Sequence, residues 1–237
     1  MCNQPKYRRV LLKLSGEALA AGADGILNFD FIASVADTLK KCVQSGVQVA
    51  VIVGAGNIWR GRQGGSMDRV RADSMGMLAT AINALALQDT FIACGLPSKV
   101  MTAVEMEAFA ERYVPRHAVA ELEAGNVVIL GCGLGAPYFS TDTAAVLRAA
   151  EIGADVILMA KNIDGIYTAD PEKDHTATKF DEISYDEVIS RGLKVMDITA
   201  TAMCKQNNLP IYVFNMDVVG NLKKVMMGEE IGTFVHP

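Results

Sequence analysis

Two cationic residues, Lys13 and Arg60, each lie beside a glycine-containing turn that follows an apolar strand. Lys13 precedes Leu14-Ser15-Gly16, and Arg60 comes shortly after Gly54-Ala55-Gly56-Asn57. A third glycine-rich run, residues 131–136, follows another apolar strand. Such turns bring backbone N–H groups close to an anion, and the dipole of the following helix adds favourable potential. The three turns therefore predict that the chain binds phosphate groups.

Lys13 and Arg60 also suit phosphoryl transfer, which needs in-line positioning and cations against the charge on the moving group. Asp142 opens the helix after residues 131–136, where it could orient Lys13 or a magnesium-bound phosphate, or could simply be a helix N-terminal acid. Asp197 is a second candidate orienter of the same kind. A phosphate acceptor is mostly ionised near neutral pH, so no catalytic base is required. These four residues are the candidate catalytic groups.

The run at 131–136 has a competing interpretation, because Gly131, Gly133 and Ala136 fit the dinucleotide fingerprint G-x-G-x-x-A. That fingerprint needs a helix that begins among the glycines, whereas the capping residues Ser140 and Thr141 predict a start about six residues later. The expected ribose-binding acid at the end of the next strand is also missing. The pattern therefore favours a phosphate-binding turn that is not part of a dinucleotide-binding motif.

The elements around these turns alternate between apolar strands and helices along the whole chain. This order predicts an α/β fold with a largely parallel central sheet and helices on both faces. In such sheets ligands bind at the carboxyl ends of the strands, so the three turns can line one crevice. The length of 237 residues with 51% hydrophobic content suits a single domain, residues 1–237.

Three segments carry more specific expectations. Residues 75–93 read as a helix that is apolar on most of its circumference, which predicts burial by the core and by another subunit. Residues 103–111 and 117–123 read as two short helices. The arginines before the long helix are typical of a solvated charged loop; they are Arg62, Arg69 and Arg71.

Composition excludes several classes of protein. A net charge of -5 argues against a surface that coats nucleic acid. The five cysteines are odd in number and never spaced C-x-x-C, which argues against a disulfide framework or a zinc site. Lys13, Ser15 and Glu17 interrupt any signal-like apolar segment, and no apolar window is expected to approach the length of a transmembrane helix. We expect a soluble, cytoplasmic protein.

Six motifs together resemble the bacterial uridylate kinases, a family with the amino-acid kinase fold. The resemblance covers nearly the whole chain in order and implies transfer of the γ-phosphate of ATP to UMP, giving UDP and ADP, in pyrimidine nucleotide biosynthesis. The motifs are KLSGEAL (13–19), GAGNIWRG (54–61), ADSMGMLAT (72–80), APYFSTDTAA (136–145), DGIYTADP (164–171) and LKVMD (193–197).

The resemblance also implies roles for individual residues. It implies an acceptor lobe over roughly residues 1–150, an ATP lobe over roughly 151–237, Mg²⁺ that arrives with ATP rather than on protein ligands, and a homohexamer built from dimers. The residues implied for ATP are Lys13, Leu14, Ser15, Gly16, Gly56, Arg60, Lys161, Asn162, Tyr167 and Asp170. Those implied for UMP are Gly54, Ala55, Asp73, Leu134, Gly135, Ala136, Pro137, Tyr138, Phe139, Ser140 and Thr141.

The sequence departs from the family pattern at three positions. Ala55 replaces a frequent glycine, and Leu134 and Ala136 stand where Thr and Asn are often found. These changes affect the expected contacts with the base and the expected regulation rather than the activity. Two alternatives stay open at this point: a related kinase that phosphorylates a carboxylate or carbamate, and a non-catalytic nucleotide sensor. Whether GTP or UTP acts as an effector is not visible in the residues.

Overall fold

The computed structural model describes residues 5–60, 65–193, 195–216 and 220–237, and all structural statements below concern these residues. The strands are β1 (Arg9–Leu14), β2 (Gln48–Val53), β3 (Ser98–Thr102), β4 (Glu111–Arg112), β5 (Val127–Gly131), β6 (Val156–Lys161), β7 (Ile166–Tyr167), β8 (Lys179–Phe180), β9 (Glu182–Ser184), β10 (Ile211–Asn215) and β11 (Thr233–His236). The helices are α1 (Gly16–Ala20), α2 (Phe29–Gln44), α3 (Arg69–Ala93), α4 (Pro115–Glu123), α5 (Thr141–Ile152), α6 (Tyr185–Ser190), α7 (Ile198–Gln206) and α8 (Asn221–Met226).

Nine strands form one sheet in the order β4-β3-β5-β2-β1-β6-β10-β11-β9, and β7 pairs with β8 in a separate hairpin. Every neighbouring pair in the large sheet is parallel except β10 with β11. The predicted fold class is therefore confirmed. The first strand, β1, lies between β2 and β6, so the chain first extends the sheet on one side of β1 and later on the other. Such a reversal opens a crevice at the carboxyl ends of the strands.

Helices cover both faces of the sheet, and the two cores divide accordingly. One core contains buried residues of α2, α3 and α8, and the other contains buried residues of α4, α5, α6 and α7. Along β1, Leu12 and Leu14 belong to the first core and Leu11 to the second. Successive side chains of a strand point to opposite faces, so Lys13 shares the face of Leu11. The sequence of β1 thus directs Lys13 toward α5.

Helix α3 begins earlier than the sequence predicts, at Arg69 rather than at residue 75. Asp68 explains the difference, because its carboxylate accepts a hydrogen bond from the Arg71 N–H at 3.1 Å and caps the helix. Arg69 and Arg71 therefore belong to the first turn of a helix, which corrects their assignment to a charged loop. Arg62 and Gly61 lie outside the described residues.

Helix α3 is also long and apolar enough to meet a length and composition criterion for a membrane span, which corrects the expectation that no segment would. The core helix of a soluble protein meets the same criterion, and 44% of the most apolar part of α3 is buried within this chain. Its buried residues include the polar Thr80 and Asn83, which hydrogen-bond to other parts of the chain.

The predicted helix at residues 103–111 is wrong. This segment forms a turn in which Met106 accepts hydrogen bonds from the Phe109 and Ala110 N–H groups, and it leads into β4. Strand β4 pairs with β3, and the Thr102 hydroxyl bonds the Val104 carbonyl, so the backbone is held at the sheet edge and not in a helix. The second predicted helix is present as α4 and begins two residues earlier, at Pro115.

Candidate functional site

Two clefts open beside the carboxyl ends of the central strands. The Asp73 cleft, of about 490 Å³, lies between the start of α3 and the loop after β5. The Lys13 cleft, of about 550 Å³, lies between the turns after β1 and β2 and the end of β6. The clefts share four lining residues: Glu17, Ala55, Gly56 and Thr141. Two ligands placed in them would therefore meet at the second glycine turn.

Lys13 and Asp142 form an ion pair, with 3.0 Å between Nζ and Oδ1. Their side chains are 14% and 22% exposed, so water screens the pair less than it would at the surface. Asp142 is held in the first turn of α5, which Ser140 caps by accepting the Thr143 N–H at 3.0 Å. The structure thus brings together the predicted cation and one of its predicted orienting acids.

The first two glycine turns pack directly on each other. A Cβ at position 16 would lie 2.5 Å from the Gly56 nitrogen and 2.8 Å from the Gly54 carbonyl oxygen. The Leu14 carbonyl accepts the Gly54 N–H at 3.0 Å. Only glycine fits at position 16, because real Cβ atoms do not approach backbone this closely. The backbones of the two turns therefore lie in close contact, and both turns line the Lys13 cleft.

Arg60 is paired with the Glu17 carboxylate, and both side chains are more than half exposed. Glu17 lines both clefts and lies against Gly56, since a Cβ at Gly56 would be 3.0 Å from its Oε1. Sequence reasoning did not identify Glu17 as a site residue. The pair places the Arg60 guanidinium where the two clefts join.

Asp73 faces the cleft named after it and has two hydrogen-bond donors. Its Oδ2 accepts the Tyr138 N–H at 2.8 Å and the Arg69 Nε–H at 2.8 Å. Burial alone would raise the pKa of Asp73, but these bonds from Tyr138 and Arg69 hold it below its usual value. The Arg69 guanidinium also lies 5.5 Å from the centre of the Tyr138 ring. Arg69 was not among the predicted site residues, although its i, i+4 spacing to Asp73 is a signal that sequence contains.

The loop after β5 forms the other wall of the Asp73 cleft. Tyr138 has φ +72°, an uncommon backbone conformation for a residue with a side chain, and its N–H bond to Asp73 helps to hold it. Gly135 and Pro137 lie between lining residues of this wall without lining it themselves. The predicted residues that line the cleft are Ala55, Asp73, Leu134, Ala136, Tyr138, Phe139, Ser140 and Thr141.

Asp197 contacts the start of α5 and caps its own helix. Its carboxylate accepts the Ala200 N–H at 2.9 Å, the Thr143 hydroxyl at 3.1 Å and the Ser140 hydroxyl. This placement joins the N-termini of α5 and α7. Asp197 thus reaches the site through Ser140, and its predicted catalytic role stays a prediction. Lys194, from the same motif, lies outside the described residues.

Lys161 and Asn162 line the Lys13 cleft, as does Met216. The Lys161 ammonium donates to the Val195 carbonyl. Burial lowers the pKa of Lys161; Asp142 opposes this shift and Lys13 adds to it. Arg60, also in the predicted ATP set, lines only the Asp73 cleft. Three further residues of that set, Leu14, Tyr167 and Asp170, line neither cleft.

Each of those three residues has other contacts in this structure. Leu14 is fully buried in the core. The Tyr167 hydroxyl donates to Asp164 at 2.8 Å, and Asp170 pairs with Lys173 at 3.0 Å. Tyr167 lies in β7, and Asp170 lies in the loop that joins β7 to β8. Their predicted roles in binding the adenine nucleotide remain predictions.

A model of the amino acid kinase family matches residues 8–215. A uridylate kinase from Parabacteroides distasonis is 55% identical over 233 residues, which are 98% of this chain and 99% of that protein. A uridylate kinase from Bacteroides thetaiotaomicron is 54% identical over 233 residues, which are again 98% of this chain and 99% of that protein. The solved structure of a UMP kinase from Bacillus anthracis superposes with a TM-score of 0.94 at 37% identity, covering 97% of this chain and 96% of that one. The chain therefore belongs to the amino acid kinase family and, within it, to the uridylate kinases.

Proposed function

We propose that the chain transfers the γ-phosphate of ATP to UMP, giving ADP and UDP. The observation that carries this proposal is the meeting of two clefts at Ala55 and Gly56, beside the paired Lys13. A nucleotide in each cleft would bring the donor and acceptor phosphates together there. An oxygen of the UMP phosphate attacks the γ-phosphorus, and the bond from that phosphorus to the bridging oxygen of ADP breaks.

The chain's residues would supply charge and position for this step. Lys13 and Arg60 would stabilise the charge on the transferred phosphoryl group, and Asp142 would orient Lys13. The turns around Gly16 and Gly56 would offer backbone N–H groups to the phosphates. No proton has to be removed from an acceptor phosphate that is already ionised, because its second pKa is about 6.

UMP is assigned to the Asp73 cleft and ATP to the Lys13 cleft. Asp73 would accept hydrogen bonds from the ribose hydroxyls, and the wall from Leu134 to Thr141 would enclose the base. Leu134 and Ala136 carry no side-chain hydrogen-bonding group, so base recognition there would rely on backbone groups and shape. The Lys13 cleft draws on residues from both sides of residue 150, and the division into an acceptor lobe and an ATP lobe stays a prediction.

Mg²⁺ would enter with ATP. Among the described residues no group of three His, Cys, Asp or Glu side chains could hold a metal, whereas Mg²⁺ in kinases is held by phosphates and only one or two carboxylates. Asp142 would orient a magnesium-bound phosphate, since it is paired with Lys13, which lines the cleft assigned to ATP. The ion would neutralise charge on the phosphates. We place the reaction in pyrimidine nucleotide biosynthesis in the cytoplasm, with no nucleic-acid or membrane partner.

A coupled assay of ADP release tests the proposal. The purified chain is incubated with Mg-ATP and one acceptor at a time: UMP, CMP, AMP, GMP, or a carboxylate such as aspartate or glutamate. We expect ADP release that depends on UMP, with equimolar UDP. Release with a carboxylate alone would instead favour the related-kinase alternative, and binding without turnover would favour the nucleotide sensor.

A second copy of the chain is the proposed partner of the outer face of α3. This face exposes Leu78 (52%) and Ile82 (49%), and Phe109 (67%) lies beside them. Together they border an apolar cleft of about 260 Å³, whose wall also includes Met106. Apolar patches of this kind mark protein contacts, and a helix face that meets its own copy gives a twofold dimer. Dimers of this type would build the predicted hexamer.

The oligomer is tested by replacing Ile82 with Asp. We expect the native protein to contain no monomer of 25.4 kDa at micromolar concentration, and the variant to release smaller species, because a charge cannot be buried in the apolar contact. Light scattering after size-exclusion chromatography measures the molar mass of the native protein and of the variant. The matched control is Ile189→Asp on α6, where the isoleucine is equally exposed at 51%. A monomeric native protein, or equal masses for the two variants, would contradict the proposal.

A further inference from the structure

A pair of asparagine side chains lies beneath the second glycine turn. Asn83, on α3, is fully buried, and its Nδ2 donates to the Asn57 Oδ1 at 2.8 Å. In return the Asn57 Nδ2 donates to the Asn83 Oδ1 at 3.0 Å. We call this reciprocal pair the amide clasp. A buried polar side chain among apolar residues is unfavourable unless it is fully hydrogen-bonded, so the contacts of this pair must hold its partners in place.

The remaining hydrogen of each amide group holds a different loop. The Asn83 Nδ2 also donates to the Gly54 carbonyl at 2.8 Å, and the Asn57 Nδ2 also donates to the Ile26 carbonyl at 2.6 Å. All four amide hydrogens thus have acceptors. The clasp therefore fixes the glycine turn after β2 to helix α3 on one side and to the loop before α2 on the other.

The clasp also reaches the first glycine turn. A Cβ at position 16 would lie 2.5 Å from the Asn57 Oδ1, so Gly16 lies directly against the clasp. The two residues that follow Gly54, Ala55 and Gly56, line both clefts. A shift of the Gly54 carbonyl would move the backbone N–H groups of exactly those residues that face the proposed phosphates.

We propose that Asn57 and Asn83 are positioning residues for phosphoryl transfer. Neither side chain needs to contact a nucleotide; the clasp holds the backbone around Gly54 so that the phosphates meet in line. Small displacements of such a turn reduce the rate strongly, because reacting atoms must be aligned within a fraction of an ångström. This inference rests on the proposed function, since it concerns the geometry of that reaction.

The experiment compares Asn57→Ala, Asn83→Ala and the double variant by steady-state kinetics with ATP and UMP, with rates expressed per folded molecule. We expect each single variant to lose about tenfold or more in kcat, while both KM values change by less than about threefold, because only the turn is misplaced and the rest of each cleft is intact. The double variant should lose no more than the worse single variant, because the two amides act as one unit.

Controls separate positioning from stability. Asn207→Ala removes an exposed amide that bonds the Met203 carbonyl at 2.8 Å on α7, far from this turn along the chain, and should leave kcat unchanged. Asn57→Asp keeps the acceptor for Asn83 but places a carboxylate oxygen against the Ile26 carbonyl and the Asn83 Oδ1, so it should lose kcat as Asn57→Ala does. A purely structural pair would lower the melting temperature of all clasp variants while kcat per folded molecule stayed at the native value.

Each outcome has a defined meaning. If Asn83→Ala does not fold, the half-buried Asn57 carries the test through its Ala and Asp variants. A native kcat in Asn57→Ala would contradict the proposed positioning role of the clasp. Fully additive losses of kcat in the double variant would contradict it as well. A native enzyme that releases no ADP with UMP would overturn the proposed function instead, and the two failures are therefore distinguishable.

Discussion

Replacement of Lys13 by Met is expected to lower kcat by about a hundredfold or more, because deletion of one preorganised charge contact has an effect of that order. Lys13 lines the cleft assigned to ATP, which shares Ala55 and Gly56 with the Asp73 cleft, and Asp142 holds its ammonium at 3.0 Å. UMP binding should stay largely intact, because Lys13 does not line the Asp73 cleft. Steady-state kinetics measure kcat, and titration with UMP measures the affinity for UMP separately.

A control variant and a correction for folding make this result specific. Lys205→Met removes a lysine that pairs with Asp186 on the surface and should leave kcat unchanged. Lys13→Met also leaves Asp142 without its ion pair, so the rate must be expressed per folded molecule, with the folded fraction taken from circular dichroism. Near-native turnover in folded Lys13→Met would remove Lys13 from the mechanism.

Replacement of Asp73 by Ala is expected to raise the KM for UMP by about ten- to a hundredfold. Hydrogen bonds to a charged acceptor contribute roughly 1.5–3 kcal/mol, and about 1.4 kcal/mol corresponds to a factor of ten. The KM for ATP should change little, because Asp73 lines only the UMP side. Initial rates with each substrate varied in turn measure both constants.

A higher KM for UMP in Asp73→Ala has a second possible cause, because Asp73 also accepts a hydrogen bond from the Tyr138 N–H at 2.8 Å and so holds the loop after β5. If Asp73 binds the ribose, its loss should bring the KM values of UMP and 2′-deoxy-UMP close together. If it only holds the loop, both KM values should rise by the same factor. Asp68→Ala is the matched control, because Asp68 caps the same helix and lines neither cleft. An unchanged KM for UMP in Asp73→Ala would end the ribose role.

Local patterns were sufficient for the parts of the site that depend on one strand or one helix start. The alternation of side chains along β1 and the capping residue Ser140 put Lys13 and Asp142 on the same face of the sheet, and their ion pair follows. The predicted order of strands and helices was likewise enough for the fold class, because each unit is short and its hydrophobic pattern is clear.

Contacts between distant segments could not be predicted in the same way. Asn83 lies in an otherwise apolar helix, and its partners at Gly54 and Asn57 are set by how α3 packs on the sheet. Asp68 and Asp73 both precede the apolar part of α3, and only the backbone shows that Asp68 caps the helix. Arg69 was missed because its role depends on the loop at Tyr138.

The central place of β1 has a consequence for the synthesis of the chain. Its first neighbour, β2, is complete at residue 53, whereas its second neighbour, β6, begins at residue 156. At a translation rate of ~5–20 residues per second, a nascent chain waits roughly 5–20 s between the two. During that time one edge of β1 presents unpaired N–H and C=O groups, next to the residue on which turnover is proposed to depend. A ribosome that stalls in this interval releases half a sheet with an open apolar edge, which is a substrate for chaperones rather than a smaller enzyme.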